Sequence, residues 1–197
     1  MLFETQCIRR IANSSQQGFS FVEVIISLFV LSIGFLGVVN LSTATLRSSF
    51  LQRDATIASM LVQEGIELVY NVRDTNLVRG VDSFDGSPSD AYDDINPGSY
   101  KIGYSNPNLF STCSTFATCR LMFIASGSNT LFGYGSGTPT KFARKILVED
   151  TSTGGVRSRK VTSVVVWSEM EFPGSIDPDH CNKSTHCTFS QTELQEN

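Results

Sequence analysis

The sequence has 197 residues, of which 41% are apolar and 17% are charged, and its formal net charge is −4. This composition is typical of one ordinary folded domain with an appendage, and it excludes a disordered or fibrous chain. Its 15 Lys and Arg residues face 19 Asp and Glu residues, whereas nucleic-acid binding depends on clustered cations. We therefore predict no nucleic-acid partner.

An apolar run begins abruptly at Phe19 and continues to Val39, and Glu23 is the only charged residue in it. A stretch of about 20 apolar residues is the length that crosses the hydrocarbon core of a bilayer. We therefore predict that residues 19–40 form a transmembrane helix.

The polar segment 1–18 precedes this run and has the features of a leader. In an ordinary secretory signal the cleavage site follows a shorter apolar stretch, whereas cleavage after Gly18 would leave the membrane helix on the mature chain. Arg9 and Arg10 lie before the span, and the next cation is Arg47. The positive-inside rule then predicts a cytoplasmic leader and a C-terminal portion outside the cytoplasm.

Glu23 is unusual within an apolar helix, because a carboxylate in the hydrocarbon costs roughly 2–3 kcal/mol or more. If the chain is cut after Gly18, Glu23 lies four residues after the new amino group of Phe19. That amine is a cation, and a neighbouring copy could supply it. The alternative is that Glu23 lies near the membrane interface and extends its carboxylate to water.

A glycine, a phenylalanine directly after it and a glutamate four residues later thus precede an unbroken apolar helix. This stretch resembles the cleavage and methylation motif of type IV prepilins, and it reads Gly18-Phe19-Ser20-Phe21-Val22-Glu23-Val24-Ile25-Ile26-Ser27-Leu28. The continuation resembles minor pilins of the PilV-like type, and it reads Leu31-Ser32-Ile33-Gly34-Phe35-Leu36-Gly37.

The resemblance implies that a prepilin peptidase cleaves after Gly18 and methylates the amine of Phe19, and that Glu23 neutralises such an amine during filament assembly. It also implies three further partners: other pilin subunits, an inner-membrane assembly platform, and membrane lipid before assembly. A minor pilin is expected to be scarce and to act in assembly priming, at the tip or in adhesion.

The helix is expected to continue beyond the membrane, from Phe19 to about Val72, because a charge-free stripe recurs at helical spacing. The stripe comprises Leu41, Ala44, Ser48, Leu51, Ala55, Ala58, Val62, Gly65, Val69 and Val72. Residues 41–76 are therefore predicted to be the amphipathic half of the helix, packed on a head at 77–197. Ser20, Ser27 and Gly34 are seven residues apart, a spacing that either lets another helix approach closely or arises by chance.

The segment from Val81 to Gly98 is rich in Asp, Ser, Gly and Pro, and predicts a surface loop. Its five acidic residues suggest a calcium site, since carboxylates suit that ion; they are Asp82, Asp85, Asp90, Asp93 and Asp94. No EF-hand spacing is present, and a solvated loop is the simpler interpretation.

β-Branched and aromatic residues then predict four short strands separated by turns, at Ser99–Tyr104, Arg120–Ala125, Lys141–Glu149 and Lys160–Glu169. The last strand is apolar on both faces near its end, which predicts a central position, and Trp167 is interpreted as a core anchor. With the helix, the strands predict an α+β, pilin-like fold with an antiparallel sheet.

Cysteine usage indicates an oxidising compartment. Cys7 lies in the leader, and four cysteines remain: Cys113, Cys119, Cys181 and Cys187. Four cysteines allow three connectivities, and we expect the two local pairs, each six residues apart, to close small loops at exposed tips.

His180-Cys181 and His186-Cys187 also suggest a zinc site, because two His and two Cys can surround that ion. The spacing is not that of a known zinc finger, and an oxidising compartment favours the disulfide. A Ser-His-Asp site using His180 or His186 would have to form in a loop-rich tail. We predict no metal, no cofactor and no enzymatic activity.

These features predict a prepilin subunit that is inserted in the inner (cytoplasmic) membrane by one span, with its head outside, and then assembled on the cell surface as a minor pilin. One alternative is a type II secretion pseudopilin. An alternative of another class is a membrane-anchored extracytoplasmic binding or catalytic domain.

Overall fold

The computed structural model describes residues 18, 20–85, 94–103, 106–126 and 129–196. The chain forms two compact units, Met1–Arg47 and Ser48–Asn197. Residues 1–17 of the leader, Phe19, Asp90 and Asp93 lie outside the described residues.

One α-helix, α1, spans Phe21–Arg79. Its length follows from the sequence, because the first proline after Phe21 is Pro88 and proline is the strongest helix breaker. The helix ends at Gly80, which has a φ of 70°. There the amide of Val81 donates to the carbonyl of Asn76 (3.1 Å), and the amide of Gly80 donates to the carbonyl of Leu77 (3.0 Å). These two bonds form a Schellman cap. The helix therefore ends at Arg79, three residues beyond the predicted amphipathic half at 41–76 and seven beyond the last stripe residue, Val72.

Within the described residues, seven strands form one antiparallel sheet. They are β1 (Gly98–Gly103), β2 (Asn106–Thr112), β3 (Arg120–Ser126), β4 (Asn129–Gly133), β5 (Thr138–Asp150), β6 (Ser158–Trp167) and β7 (Cys187–Gln195). The four predicted strands correspond to β1, β3, β5 and β6, whereas β2, β4 and β7 were not predicted. The helix and sheet together have the α+β, pilin-like layout expected from the sequence.

The long strand β5 pairs with three other strands of the sheet. One edge of β5 pairs with β6 from Phe142 to Asp150, and the other edge pairs with β3 near its start and with β1 near its end. Strand β6 also pairs with β7 along its whole length and is buried at nine of its ten positions. The prediction that β6 is central is therefore confirmed.

One face of the sheet packs against the second half of α1. This core includes Ala58, Leu61, Val62, Val69 and Val72 from the helix and Phe142, Ile146, Val148, Val161, Val165 and Trp167 from the sheet. Trp167 is 1% exposed, which confirms its interpretation as a core anchor.

The predicted apolar stripe of α1 is only partly buried. Ala58, Val62, Gly65, Val69 and Val72 are buried as expected, and Leu61 and Asn76 join them. The earlier positions Leu41, Ala44, Ser48 and Leu51 are exposed, so their prediction as a packed face was wrong. The reason is that the sheet side chains cover the helix only from about Ala55 onward.

The opposite face of the sheet carries a second core built around the cysteines. Cys113, Cys119, Cys181 and Cys187 pack there with Phe116, Ala143, Val164 and Val166. All four cysteines are at most 5% exposed. The expectation that the disulfides lie at exposed tips was therefore wrong, because the loops fold back onto the apolar face of β5 and β6.

Candidate functional site

The first half of α1 has a large uncovered apolar surface. Seventeen large apolar side chains between Phe21 and Phe50 are exposed, and Phe21 and Leu31 expose 78% and 69% of their surface. Monomeric proteins in water rarely show a contiguous apolar patch of more than a few hundred Å². This surface therefore requires lipid or other apolar helices around it. Among the described residues, α1 is the one helix long and apolar enough to cross a membrane.

Polar side chains in this part of the helix are satisfied within the helix itself. The Ser27 hydroxyl donates to the carbonyl of Glu23 (2.8 Å), and that of Ser32 donates to the carbonyl of Leu28 (2.7 Å). Thr43 donates to the carbonyl of Val39 in the same way (3.0 Å). Because an unpaired polar group in hydrocarbon is costly, these bonds suit the helix to an apolar environment.

Glu23 lies in the first turn of α1. Its amide donates to the carbonyl of Ser20 (2.9 Å), which also accepts a bond from the amide of Val24 (3.2 Å). A carboxylate in the first turn interacts favourably with the positive end of the helix dipole, and the side chain of Glu23 is exposed. Gly18 is described but Phe19 is not, so a contact between Glu23 and the Phe19 amine stays a prediction.

The small residues of the predicted helix contact are open. Ser20, Ser27 and Gly34 are exposed, and a Cβ built on Gly34 or Gly37 meets no atom within 4 Å. Packing within the chain therefore does not require glycine at these positions.

Two disulfides are present in the second unit, Cys113–Cys119 and Cys181–Cys187. They are the two local pairs that the sequence analysis expects. Each closes a short loop over the back of the sheet, where the four sulfur atoms take part in the second core.

Two acidic residues after α1 form ion pairs with Arg157. The Arg157 guanidinium lies 2.7 Å from a carboxylate oxygen of Asp82 and 3.0 Å from one of Asp85. Burial raises the pKa of Asp82, but hydrogen bonds from the amides of Asp85 and Phe84, together with Arg157, bring the pKa below its ordinary value. Arg157 thus pairs with two of the five carboxylates of the calcium hypothesis, whereas Asp90 and Asp93 lie outside the described residues.

The histidine and cysteine tail has a different arrangement from a zinc site. Cys181 and Cys187 use their sulfur atoms in the disulfide. The His180 ring hydrogen-bonds to Asp177 (2.8 Å), which raises the pKa of His180 above its ordinary value. The His186 ring packs edge-on against Trp167, with ring centroids 5.7 Å apart.

Within the described part of the chain, no group of three or more His, Cys, Asp or Glu side chains is placed to hold a metal ion. The Ser184 hydroxyl donates to Asn182 and not to His180. His180 thus pairs with Asp177, and Ser184 does not complete a Ser-His-Asp triad with them.

Sequence reasoning missed a buried arginine under the helix. Arg144 of β5 is 0% exposed. Its guanidinium donates to the carbonyls of Leu61 (3.0 Å) and Ile102 (2.8 Å) and lies 3.3 Å from a carboxylate oxygen of Glu64. The incomplete alternation of β5 was the available signal, because Arg144 occupies the same face as the apolar residues Phe142 and Ile146.

A model of the prokaryotic N-terminal methylation motif matches residues 13–39. The matched segment contains Gly18, Phe19 and Glu23. Neither a search of curated proteins nor a search of solved structures found a match to the chain.

The motif supports a type IV prepilin-like protein and points to a structural subunit and not to an enzyme. In general, such a motif implies processing by a prepilin peptidase and association with other pilin subunits. The apolar helix that begins at Phe21 fits membrane anchoring followed by filament assembly.

Proposed function

We propose that the chain is a prepilin, cleaved after Gly18 and methylated on Phe19, that assembles into a type IV pilus as a minor pilin of the PilV-like type. Its role is in assembly priming, at the tip or in adhesion, and it is not an enzyme. The proposed segments are a leader at 1–18, a membrane and filament-core helix at 19–40, an amphipathic half at 41–76 and a head at 77–197.

The observation that carries this proposal is the exposed apolar surface of α1 between Phe21 and Phe50, within a segment that matches the methylation motif. In the membrane, lipid covers this surface. In a filament, the equivalent helices of neighbouring subunits cover it instead. The exchange costs little, because lipid tails and apolar side chains offer similar apolar contact.

Glu23 sets the register of the subunit in this proposal. A carboxylate among apolar helices is stabilised strongly by a nearby cation, since the attraction grows as the dielectric falls. The methylated amine of Phe19 on a neighbouring subunit supplies that cation. A subunit that is displaced along the filament axis would leave both charges without a partner, so correct pairing favours one axial position.

The proposed topology places the head outside the cytoplasm, with one span in the inner membrane. Arg9 and Arg10 precede the span, and the following part of the chain has no cation before Arg47. The two disulfides support the same orientation, because disulfides persist in oxidising compartments. The proposed partners are prepilin peptidase, the inner-membrane assembly platform, other pilin subunits and, before assembly, membrane lipid.

A type II secretion pseudopilin is the second candidate, because the same methylation motif and exposed helix support it equally. The two functions differ in location. A pilin is recovered in the sheared surface fraction, whereas a pseudopilin stays with the cell envelope.

The test is mass spectrometry of the N-terminus of the protein isolated from its native membrane and from the sheared surface fraction. We expect a mature chain that starts at methylated Phe19. An intact Met1 start, or cleavage at Val39 or beyond, would contradict prepilin processing. The head would then be assayed as a membrane-anchored domain.

A further inference from the structure

A groove of about 570 Å³ lies in the second unit, between α1 and the edge strand β7. This volume is in the range of small-molecule binding sites. We call it the Trp167 groove. It is lined by Gln52, Ala55, Thr56 and Ser59 of the helix, by Trp167 of β6, by Cys187, Thr188 and Phe189 of β7, and by Pro178, Cys181 and Asn182 of the preceding turn.

None of the residues that line the Trp167 groove is charged. A charged ligand would lose hydration on entering it without gaining an ionic partner, which is strongly unfavourable. Neutral amide and hydroxyl groups, in contrast, are present on both walls. The lining therefore favours a neutral ligand that can form hydrogen bonds.

The hydroxyl groups of the helix wall have a defined hydrogen-bonding role. The Thr56 hydroxyl donates its hydrogen to the carbonyl of Gln52 (2.9 Å), and the Ser59 hydroxyl donates to the carbonyl of Thr56 (2.8 Å). A hydroxyl has one hydrogen and two lone pairs. Both oxygens can therefore accept further bonds from a ligand, and a suitable ligand must bring donors, as the hydroxyl groups of a sugar do.

The far wall is held in place before any ligand arrives. The Cys181–Cys187 disulfide joins two lining residues. The side-chain amide of Asn182 donates to the carbonyls of Pro178 (3.2 Å) and Asp179 (3.1 Å), and its oxygen accepts a bond from the amide of Ser184 (3.0 Å). A wall fixed in this way lowers the entropy that binding must overcome.

Apolar surface in the same groove suits the carbon face of a sugar ring. Ala55 of the helix and Phe189 of β7 both line the groove, Phe189 also packs against the second core, and Trp167 is 1% exposed. The indole N–H of Trp167 has no hydrogen-bond partner among the described residues. Trp167 is buried and Phe189 is half-buried, so the exposed part of Phe189 supplies the aromatic contact area and the neutral polar groups supply the directional bonds that a polyhydroxylated ligand uses.

We propose that the Trp167 groove binds a neutral, hydroxyl-rich ligand of the saccharide class. The site lies within the second unit, Ser48–Asn197, and it goes beyond the assembly function, on which it does not depend. Free sugar and surface polysaccharide share this chemistry, and the experiment separates them.

Trp167 is the only tryptophan in the chain, so its fluorescence reports on this groove without competing signals. The test uses the full chain in phospholipid nanodiscs, because many detergents are themselves glycosides. The probes are glucose, galactose and N-acetylglucosamine, and linear oligosaccharides of each. We expect a saturable change in Trp167 fluorescence at millimolar sugar, with saturation-transfer NMR as the second measurement.

Two variants remove the acceptors from the helix wall, Thr56→Val and Ser59→Ala. We expect each to raise the dissociation constant about tenfold, the effect of one lost hydrogen bond. The matched control is Thr75→Val, on the same helix but outside the groove, which should bind as the unmodified chain does. Thermal unfolding of each variant verifies that the head is folded.

Tighter binding of oligosaccharides than of monosaccharides would support the proposal and identify a polymer as the source, whereas equal affinity would support it with a free sugar. The proposal is overturned if the sugars produce neither a fluorescence change nor saturation transfer. It is also overturned if Thr56→Val and Ser59→Ala bind the sugars as tightly as Thr75→Val does.

Discussion

Gly65 of α1 lies directly against Ser163 of β6, and a Cβ at Gly65 would overlap the Ser163 hydroxyl oxygen. The same Cβ would be 2.9 Å from Cδ1 of Ile146 and 3.1 Å from Cδ of Arg144. The absence of a side chain at Gly65 thus allows the helix to approach the sheet closely at the middle of its buried face.

Substitution of this glycine is predicted to separate the helix from the sheet. Gly65→Val should lower the free energy of unfolding by about 2–4 kcal/mol, because overpacking a buried site forces the surrounding side chains to shift. Urea denaturation measures the loss. The control is Gly174→Ala, since a Cβ there meets no atom within 4 Å. Equal stability of the two variants would show that the close approach at Gly65 is not required.

Arg144 of β5 is predicted to hold α1 and β1 against β5, because its partners Leu61 and Glu64 lie on α1 and its partner Ile102 lies on β1. Arg144→Met should lower the free energy of unfolding by about 2–3 kcal/mol, because it leaves the carbonyls of Leu61 and Ile102 without their charged donor. Glu64→Gln should cost less than half of this, since the Glu64 side chain is 24% exposed and water screens its charge. Urea denaturation of both variants gives the ratio, and a larger loss for Glu64→Gln would contradict this order.

The ionisation of Asp82 is predicted to make the free energy of unfolding depend on pH. Its pKa is lowered in the folded state, so the stabilisation is present above the ordinary carboxyl pKa of about 3.9 and is lost as pH falls through the lower folded value. Asp82→Asn should therefore be less stable than the unmodified chain at pH 7. The difference should begin to shrink below about pH 4, where the unfolded chain takes up the proton, and should disappear only below the lowered folded pKa, where both states are protonated. Urea denaturation at pH 7 and at pH 3 measures it, and a pH-independent difference would exclude this carboxyl as its source.

The two disulfides are predicted to stabilise the head independently. Replacing Cys113 and Cys119 together by Ala, or Cys181 and Cys187 together, should each cost about 2–3 kcal/mol for loops this short. The second replacement should also change the Trp167 fluorescence, because Cys181 and Cys187 line the same groove as that ring. Identical emission spectra for the two double variants would show that the wall keeps its shape without the bond.

Glu23 is predicted to act in assembly and not in anchoring. Glu23→Ala should remain in the membrane fraction, because it removes a charge from an apolar span, but should be strongly depleted from sheared filaments. Glu67→Ala is the matched control, since Glu67 is an exposed acidic residue on the same helix. Quantitative immunoblotting of both fractions provides the measurement. Incorporation of Glu23→Ala at the level of Glu67→Ala would favour the membrane-anchored domain.

The parts of the fold that were predictable carry strong periodic signals. The buried face of α1 from Ala58 to Val72 follows helical spacing, and β6 has an apolar run that fits a strand covered on both faces. The helix ends three residues beyond the predicted bound at 76, although Gly80 was the available signal. A Schellman cap depends on the backbone at one glycine, and apolar periodicity does not report it.

The unpredicted strands have weak patterns for physical reasons. Strand β2 contains Pro107 and pairs only with β1, and proline is tolerated mainly in such edge strands. Strand β7 also lies at an edge, and Cys187 and Leu194 are its only buried positions. Since an edge strand buries few side chains, its sequence keeps little apolar alternation.

The N-terminal motif and the Trp167 groove also differ in how far the sequence alone predicts them. The N-terminal motif is a run of adjacent residues, so Gly18, Phe19 and Glu23 can be predicted from the sequence alone. The Trp167 groove combines side chains from Gln52 to Phe189. Only the folded arrangement of helix, sheet and turn brings them together.

The pairing of β7 with β6 links completion of the sheet to the synthesis of β7. Strand β6 is central, yet one of its two hydrogen-bonded neighbours is supplied by Cys187–Gln195. Before β7 is synthesised, β6 can pair only with β5, so its other side is an unpaired edge of an apolar strand. The nascent head therefore stays incomplete until translation reaches the end of β7, and truncation before Cys187 would leave β6 available to pair with other unfinished chains.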